Sequence, residues 1–248
     1  SGDWSSDVCS SDLEVIALDP GTGEAKWRFD PGIDLEQRPA NQFICRGVSY
    51  WQDESAEGHC SQRIISTTSD GTVLALDALD GTPCEDFGEG GVVTIDPGMD
   101  LVWPGEFQVT SPAAIIGDVA VVGSAISDNL RVKAPHGTVR AYDVRTGDQV
   151  WWFDPIPRTA DQTNASDWQG DYPPVEGHAN AWAPISADLE RGLVFVPTGS
   201  PSPDFYGGLR PGDNRYANSV VALKAETGDV VWAYQMVHHD VWDFDTPA

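Results

Sequence analysis

The sequence predicts an all-β fold of the β-propeller class. Three observations support this prediction: a strand–turn–strand pattern returns along the chain, further short β-strand patterns lie between its copies, and no stretch has helical periodicity. One such hairpin cannot bury both of its apolar faces alone, so the copies must stack against one another. A β-sandwich whose turns resemble each other by chance is the alternative fold.

The repeated pattern occurs four times. Each copy reads as an apolar strand, a turn with glycine and a second strand, and three copies end in tryptophan. Glycine permits the positive φ angle that such a turn needs. Because the strands are apolar on both faces, we expect them between neighbouring sheets, with the tryptophan docking one blade on the next. The copies are residues 15–27, 73–81, 139–151 and 220–232.

Further strands and two long loops are predicted between the copies. Short apolar runs at residues 63–67, 92–95, 119–123 and 193–197 supply additional strands, so each repeat should belong to a larger sheet. Two insertions, residues 155–177 and 199–216, are rich in Pro, Gly, Asp and Asn. We expect both to be loops on a propeller face, where functional residues concentrate.

Charge and composition restrict the possible partners. The formal net charge is -25, from 39 acidic and 14 basic residues in a chain of 248. Such a field repels phosphate backbones and anionic lipid headgroups, which argues against binding to nucleic acid or a membrane surface. Ten tryptophans and 40% hydrophobic residues are sufficient for a folded core.

The first thirteen residues differ from the rest of the chain. Residues 1–13 are dominated by Ser and Asp and lack strand alternation, so we expect a non-native leader followed by one domain at 14–248. The four cysteines, Cys9, Cys45, Cys60 and Cys84, have no metal-site spacing. Their spacing leaves the disulfide pairing and the cellular compartment open.

The densest group of chemically active side chains is residues 238–245, HHDVWDFD. Three carboxylates, two imidazoles and two aromatic rings share eight residues. A carboxylate beside a large ring is partly desolvated, which raises its proton affinity and makes it a candidate general base. A polar turn anchored by its Trp and Phe is the alternative interpretation.

Together, the repeat and five segments in a fixed order resemble the quinoprotein dehydrogenases that use pyrroloquinoline quinone (PQQ). The likeness is closest to the membrane-bound branch that oxidises glucose, quinate and related polyols. It implies an eight-bladed propeller with PQQ near its axis, of which this chain would be a fragment of about half. It also implies the periplasmic face of the inner membrane, with any membrane anchor outside the fragment. The segments are residues 45–50, 123–129, 180–184, 197–200 and 238–245.

The resemblance implies a role for each carboxylate in these segments. Asp243 matches the family's general base, which takes the substrate hydroxyl proton. Asp128 and Asn129 match a metal-binding pair for Ca²⁺ or Mg²⁺, although Asp-Asn is also a common turn sequence. We expect Asp240 to fix the loop by hydrogen bonds, and Asp245 to support the site or bind the metal.

The resemblance also implies residues that contact the cofactor and the substrate. Trp182 matches the tryptophan that stacks on the PQQ plane, with blade packing as the alternative. Arg46 offers a fixed positive charge, and Thr110 and Ser124 offer hydroxyl donors to PQQ. Gln42 stands where glucose-oxidising relatives carry a histidine linked to sugar selection, which argues against glucose itself.

The predicted function is therefore PQQ-dependent oxidation of a sugar, cyclic polyol or related alcohol by hydride transfer, with electrons passed to a quinone-type acceptor. Two alternatives belong to other classes. A non-enzymatic propeller scaffold would share the repeat without any PQQ-dependent activity, and a calcium-stabilised binding module would bind metal without redox chemistry.

Overall fold

The structure is a computed structural model that describes residues 13–170, 174 and 177–246. The predicted leader, residues 1–13, lies outside this range except for Leu13. Among the described residues no helix is long and apolar enough to cross a bilayer.

Short 3-10 helices occur at Pro104–Glu106, Ala165–Asp167 and Gly207–Leu209. The strands are β1 Val15–Leu18, β2 Ala25–Phe29, β3 Ser49–Gln52, β4 Gln62–Thr67, β5 Thr72–Asp77, β6 Val92–Thr94, β7 Phe107–Gln108, β8 Ala114–Ile116, β9 Val119–Val122, β10 Ala125–Ile126, β11 Val139–Asp143, β12 Gln149–Phe153, β13 Ser186–Asp188, β14 Leu193–Pro197, β15 Ser219–Lys224 and β16 Val230–Gln235.

Three four-stranded antiparallel sheets follow one another along the chain. Their strand orders are β3-β4-β5-β6, β8-β9-β11-β12 and β13-β14-β15-β16, and we call them blades 2, 3 and 4. The hairpin β1-β2, blade 1, has only two strands among the described residues, so the four repeats correspond to three full blades and one hairpin. The first strands of blades 2, 3 and 4 contact in succession, β3 with β8 and β8 with β13. The sheets therefore radiate from a common line, as propeller blades do.

The turns of the first and third repeats are held by their aspartate side chains. In blade 1, Asp19 Oδ1 accepts hydrogen bonds from the backbone N–H groups of Gly21 and Thr22. In blade 3, Asp143 Oδ1 accepts the equivalent bonds from Arg145 and Thr146. These side chains replace backbone partners at the turn, which is why the pattern is readable in sequence.

The hydrophobic core consists of layers between blades. Ile65 and Val73 of blade 2 pack with Val122 and Tyr142 of blade 3 in one buried layer. Val121 and Val139 of blade 3 pack with Val196 and Val221 of blade 4 in the next, and Ile64 and Leu76 of blade 2 pack on Val15 of blade 1. Successive strand residues thus face opposite layers, as the apolar pattern on both faces predicts.

Two of the repeat tryptophans dock one blade on the next, in agreement with the prediction. Trp27 Nε1 of blade 1 donates to the Ala78 carbonyl at 3.1 Å, and Trp151 Nε1 of blade 3 donates to the Ala225 carbonyl at 2.7 Å. A Cβ atom on Gly81 would lie 2.5 Å from the Trp27 ring, and one on Gly228 would lie 2.7 Å from the Trp151 ring. Each indole therefore lies directly against a glycine of the following blade.

Blades 2 and 3 are joined without a tryptophan at the equivalent position. The buried guanidinium of Arg63 donates to the carbonyls of Val144 and Arg145 across the interface, at 3.2 and 2.7 Å. Within blade 2, a disulfide between Cys60 and Cys84 gives one of the pairings that the spacing left open. The hydrogen bonds of the Arg63 guanidinium thus take the place of the indole at this interface.

The glycine that meets Trp151 gives a test of this docking. We expect Gly228→Ala to destabilise the intact protein by about 2–4 kcal/mol, because the methyl group meets the ring and the residue has a φ of +73°. Gly192→Ala is the matched control, since Gly192 also has a positive φ, +65°, but nothing within 4 Å of its Cβ position. Chemical denaturation of both variants measures the difference, and equal losses would contradict a special role for the indole contact.

Candidate functional site

Five of the eight predicted site residues line one cavity of about 200 Å³. They come from segments that are far apart in sequence, between the strands of blades 2, 3 and 4. A larger open cleft of about 860 Å³ lies elsewhere, lined in part by Arg131 and Arg158, and contains none of the predicted residues. We therefore place the site at the smaller cavity. The five residues are Gln42, Arg46, Thr110, Asp128 and Trp182.

Arg46, Thr110 and Trp182 form one connected group in this cavity. Arg46 Nη1 donates to Thr110 Oγ1 at 2.5 Å, and the guanidinium carbon lies 5.0 Å from the centroid of the Trp182 ring. Burial lowers the pKa of Arg46, but a guanidinium remains charged. The Ser111 hydroxyl donates to the Trp182 carbonyl at 2.6 Å and fixes the backbone of that residue. The cavity thus presents a fixed cation beside an aromatic ring.

Ser124 lies close to this group but deeper in the fold. A Cβ atom on its neighbour Gly123 would lie 2.0 Å from the Ala181 carbonyl oxygen, so only glycine permits this approach. Ser124 N–H donates to that carbonyl at 3.1 Å, and its own carbonyl accepts from Asn180 Nδ2 at 2.9 Å. Within the part of the chain that the structure describes, the Ser124 hydroxyl is buried without a hydrogen-bond partner, and the residue does not line the cavity.

Gln108 is a cavity residue that the sequence analysis missed. It lines the cavity and is 1% exposed, and neither its amide oxygen nor its amide nitrogen has a hydrogen-bond partner among the described residues. Buried polar atoms are normally paired, so an unpaired amide at a cavity wall fits a polar ligand there. A glutamine at the end of a two-residue strand carries no sequence signal for this role.

The loop that carries Asp243 is held by Asp240, as predicted. The Asp240 carboxylate is buried and accepts hydrogen bonds from Ser200 Oγ at 2.5 Å, Phe244 N at 2.8 Å and Trp242 N at 3.2 Å. Asn218 Nδ2 donates to the same carboxylate at 3.4 Å. One side chain therefore anchors both the backbone of this loop and its contact with the end of blade 4.

Asp243 lies in a cluster of carboxylates. Partial burial is the largest cause that raises its pKa to about 6, and the negative charge of its neighbours adds to the effect. Its backbone has a φ of +58°, which is uncommon for a residue other than glycine and is typical of functional sites. A carboxylate in this state is ionised near neutral pH and still accepts protons readily. The neighbouring carboxylates are those of Asp204, Asp245, Asp128 and Asp240.

Asp245 connects the carboxylate cluster to the cavity. It lines the cavity, and its Oδ2 accepts a hydrogen bond from Trp182 Nε1 at 2.8 Å. Burial raises the pKa of Asp245 more than this bond lowers it. Desolvation likewise raises the pKa of Asp128, although part of that residue is exposed to solvent. The positive charge of a protonated His178 nearby would lower the same pKa.

The predicted metal pair, Asp128 and Asn129, is exposed, and of the two only Asp128 lines the cavity. Asp128 groups with His178 and Asp204, whose possible ligand atoms lie within 4.8 Å of its own. His178 and Asp204 were not identified from sequence. Asp204 lies in the insertion 199–216 and His178 directly follows the insertion 155–177, so the long loops do supply site residues.

The raised pKa of Asp243 predicts an unusual effect on stability. An unfolded Asp has a pKa of about 3.9, so the contribution of Asp243 to the free energy of unfolding falls as the pH rises from about 4 to about 6, where folded Asp243 ionises. We expect Asp243→Asn in the metal-free protein to be more stable than wild type above pH 6, by on the order of 1 kcal/mol after solvent screening, with the difference vanishing near pH 4. Thermal unfolding across this pH range measures it.

Asp240→Asn is the matched control for that experiment. It should destabilise the protein by about 1.5–3 kcal/mol, because an amide accepts fewer of the hydrogen bonds that this buried carboxylate receives. Stabilisation by Asp240→Asn, or destabilisation by Asp243→Asn at pH 8, would contradict the electrostatic description of the cluster.

Comparisons with known proteins identify the family of the chain. The family described as "PQQ: Glucose/ethanol/alcohol dehydrogenase, beta-propeller domain" matches residues 8–248. Quinoprotein glucose dehydrogenase A of Acinetobacter calcoaceticus is 36% identical over 255 residues, covering 97% of this chain and 31% of that protein. The quinate/shikimate dehydrogenase (quinone) of Acinetobacter baylyi is 35% identical over 261 residues, covering 97% of this chain and 31% of that protein.

A solved structure extends the likeness to three dimensions. The quinohemoprotein alcohol dehydrogenase from Comamonas testosteroni superposes with a TM-score of 0.77 at 25% identity, covering 98% of this chain and 34% of that one. This confirms the predicted β-propeller class. The chain spans about a third of the length of the relatives it matches. It belongs to the PQQ-dependent glucose, ethanol and alcohol dehydrogenase family and has the β-propeller fold of that family.

Proposed function

We propose that this chain is part of a PQQ-dependent dehydrogenase that oxidises a sugar, a cyclic polyol or a related alcohol. The observation that carries the proposal is the meeting of Arg46, Thr110 and Trp182 at one cavity, beside a carboxylate cluster that contains Asp243. Membership of the family supports the reaction class. The names of the relatives, which specify glucose and quinate or shikimate, support a hydroxylated ring as substrate.

The residues at the cavity fit PQQ, a planar molecule with several carboxylates and carbonyls. Arg46 would pair with an anionic group, Trp182 offers a flat apolar surface, and the unpaired Gln108 amide offers both a donor and an acceptor. Thr110 holds the guanidinium in place. When bound, PQQ would supply the acceptor for the hydride.

Asp243 would act as the general base. With a pKa of about 6 it is ionised at neutral pH, and its Oδ atoms can accept the proton of the substrate hydroxyl. The hydrogen bonds of Asp240 would hold it in place during this transfer. Gln42, at the mouth of the same cavity, would contact the substrate.

A divalent cation, Ca²⁺ or Mg²⁺ by the family resemblance, would bind at Asp128. The carboxylates around it repel one another, and Asp204 has no hydrogen bond to either oxygen, so the donor set suits a cation. The cation would act as a Lewis acid. Asn129 remains a predicted ligand, although its side chain is exposed.

The proposed setting is the periplasmic face of the inner membrane, with a quinone-type electron acceptor and a membrane anchor outside this chain. The Cys60–Cys84 disulfide supports an oxidising compartment. The name of the Acinetobacter baylyi relative supports the quinone.

The base assignment predicts the effect of Asp243→Asn in the intact protein. Dye reduction with saturating polyol should fall about 10²-fold or more, because the proton acceptor is lost, while PQQ still binds. Asp213→Asn, an exposed carboxylate beside His238, is the control and should keep wild-type turnover. If the loss of dye reduction in Asp243→Asn is explained wholly by a failure to bind PQQ, the assignment of Asp243 as general base is contradicted. If the wild-type protein binds PQQ or metal but does not reduce the dye, this result would support the alternative functions, a non-enzymatic scaffold or a calcium-stabilised binding module.

The Gln108 amide provides a separate test of the cofactor pocket. Gln108→Leu should weaken PQQ binding about 10-fold, the size of one or two lost hydrogen bonds. It should leave the free energy of unfolding unchanged or higher, because it removes two buried unpaired polar atoms. Gln149→Leu, on an exposed position of β12, is the control. Unchanged PQQ affinity in a quinone fluorescence titration of Gln108→Leu would place the cofactor elsewhere.

A further inference from the structure

We infer that Asp128, His178 and Asp204 form a site for a divalent transition-metal cation, with the His178 imidazole as one ligand. The inference rests on the proposed function for the presence of a cation beside Asp128. At Asp128 it is an alternative to the Ca²⁺ or Mg²⁺ that the resemblance implies, because it replaces the all-oxygen pair Asp128 and Asn129 by a ligand set that contains an imidazole.

The three side chains have the spacing that one ion requires. One nitrogen of His178 and one oxygen each of Asp128 and Asp204 lie within 4.8 Å of one another. Metal–ligand distances of about 2.0–2.6 Å allow a single ion to contact all three with small adjustments. His178 and Asp204 are 2% and 1% exposed, so the site is open only on the Asp128 side.

The two buried members of this group, His178 and Asp204, have side-chain atoms that lack a hydrogen-bond partner within the described part of the chain. Neither oxygen of Asp204 has a hydrogen bond, and neither does Nε2 of His178. His178 Nδ1 lies 3.6 Å from Asp204 Oδ1, which is too long for a hydrogen bond. A buried carboxylate without any hydrogen bond is among the least favourable arrangements in a protein, and a bound cation would remove the penalty.

A second His–Asp pair shows that this fold can satisfy such a carboxylate. Asp154 is buried beside His136, whose Nδ1 lies 2.7 Å from Asp154 Oδ2. Arg158 Nε also donates to Oδ2, and Ile156 N–H donates to Oδ1 at 3.0 Å. Both oxygens of Asp154 are therefore occupied by protein groups. The unpaired oxygens of Asp204 are a specific feature of the His178 site.

The backbone holds His178 in position. Its N–H donates to the Pro135 carbonyl at 2.9 Å, and its carbonyl accepts from Gly137 N–H at 2.8 Å. His178 and Ala179 both have positive φ angles, +61° and +55°, a strained conformation of the kind found at ligand sites. The ring is thus fixed beside Asp204 by the loop itself.

The donor set determines the class of cation. Ca²⁺ prefers oxygen ligands only, whereas an imidazole suits first-row transition metals and carboxylates suit Mn²⁺ as well as Ca²⁺. Two carboxylates with one imidazole therefore favour a cation such as Mn²⁺ over Ca²⁺.

The experiment uses the intact protein, freed of PQQ and metal and titrated with Mn²⁺ or Ca²⁺. We expect stoichiometric Mn²⁺ binding, with nitrogen couplings in the pulsed electron paramagnetic resonance spectrum of the wild-type protein. His178→Asn should abolish these couplings and weaken Mn²⁺ binding at least about 10-fold, with a smaller change for Ca²⁺. His136→Asn, the other histidine beside a buried Asp, should leave Mn²⁺ binding unchanged.

Absence of nitrogen couplings in the wild-type spectrum would overturn the inference, and this readout does not depend on any variant folding. Equal Mn²⁺ affinity in folded His178→Asn would overturn it as well. The proposed function is tested separately by dye reduction with PQQ. Activity without nitrogen-coupled Mn²⁺ would leave that function standing, and nitrogen-coupled Mn²⁺ in a protein without PQQ-dependent activity would support only the metal site.

Discussion

The docking of an indole from one blade onto a glycine of the next is the contact on which the rest of this structure depends. Trp27 and Trp151 each combine a hydrogen bond with a ring contact that leaves no room for a Cβ atom. Such contacts set the angle between neighbouring sheets. The cavity residues Arg46, Asp128 and Trp182 lie before blade 2, within blade 3 and before blade 4, so their distances from one another depend on how these blades are arranged. A small rotation of one blade would move them apart.

The apolar layers between blades also allow the site to hold unfavourable charges. Asp243, Asp245 and Asp128 all have raised pKa values because they are partly buried among like charges. Repulsion of this kind opposes folding, and the layers built from residues such as Ile65, Val121 and Val196 offset it elsewhere. The strain is concentrated in the loops, where ligands would relieve it.

Most of the fold could be predicted from sequence because its signals are local. Asp19 and Asp143 each bond to backbone groups two or three residues away, so their turns are visible as a motif. The number of strands per blade is not local: among the described residues the four repeats form three four-stranded blades and one hairpin. For the site, the family resemblance identified residues that do converge, such as Arg46 and Trp182. It gave no indication of Gln108 or His178, whose importance lies in the hydrogen bonds that they lack after folding. The direction of the Asn129 side chain likewise depends on its backbone φ, which is +57°. No neighbouring residue in the sequence indicates this angle.

The contacts of Arg46 have a consequence for the entropy of binding. An arginine side chain normally loses much rotational freedom when it pairs with a ligand, at about 0.5–1.5 kcal/mol for a flexible side chain. Here protein groups themselves hold the guanidinium, namely Thr110 and the Trp182 ring. That freedom is lost during folding rather than during association. An anionic ligand would therefore meet a preorganised partner, and more of the electrostatic attraction would remain as affinity.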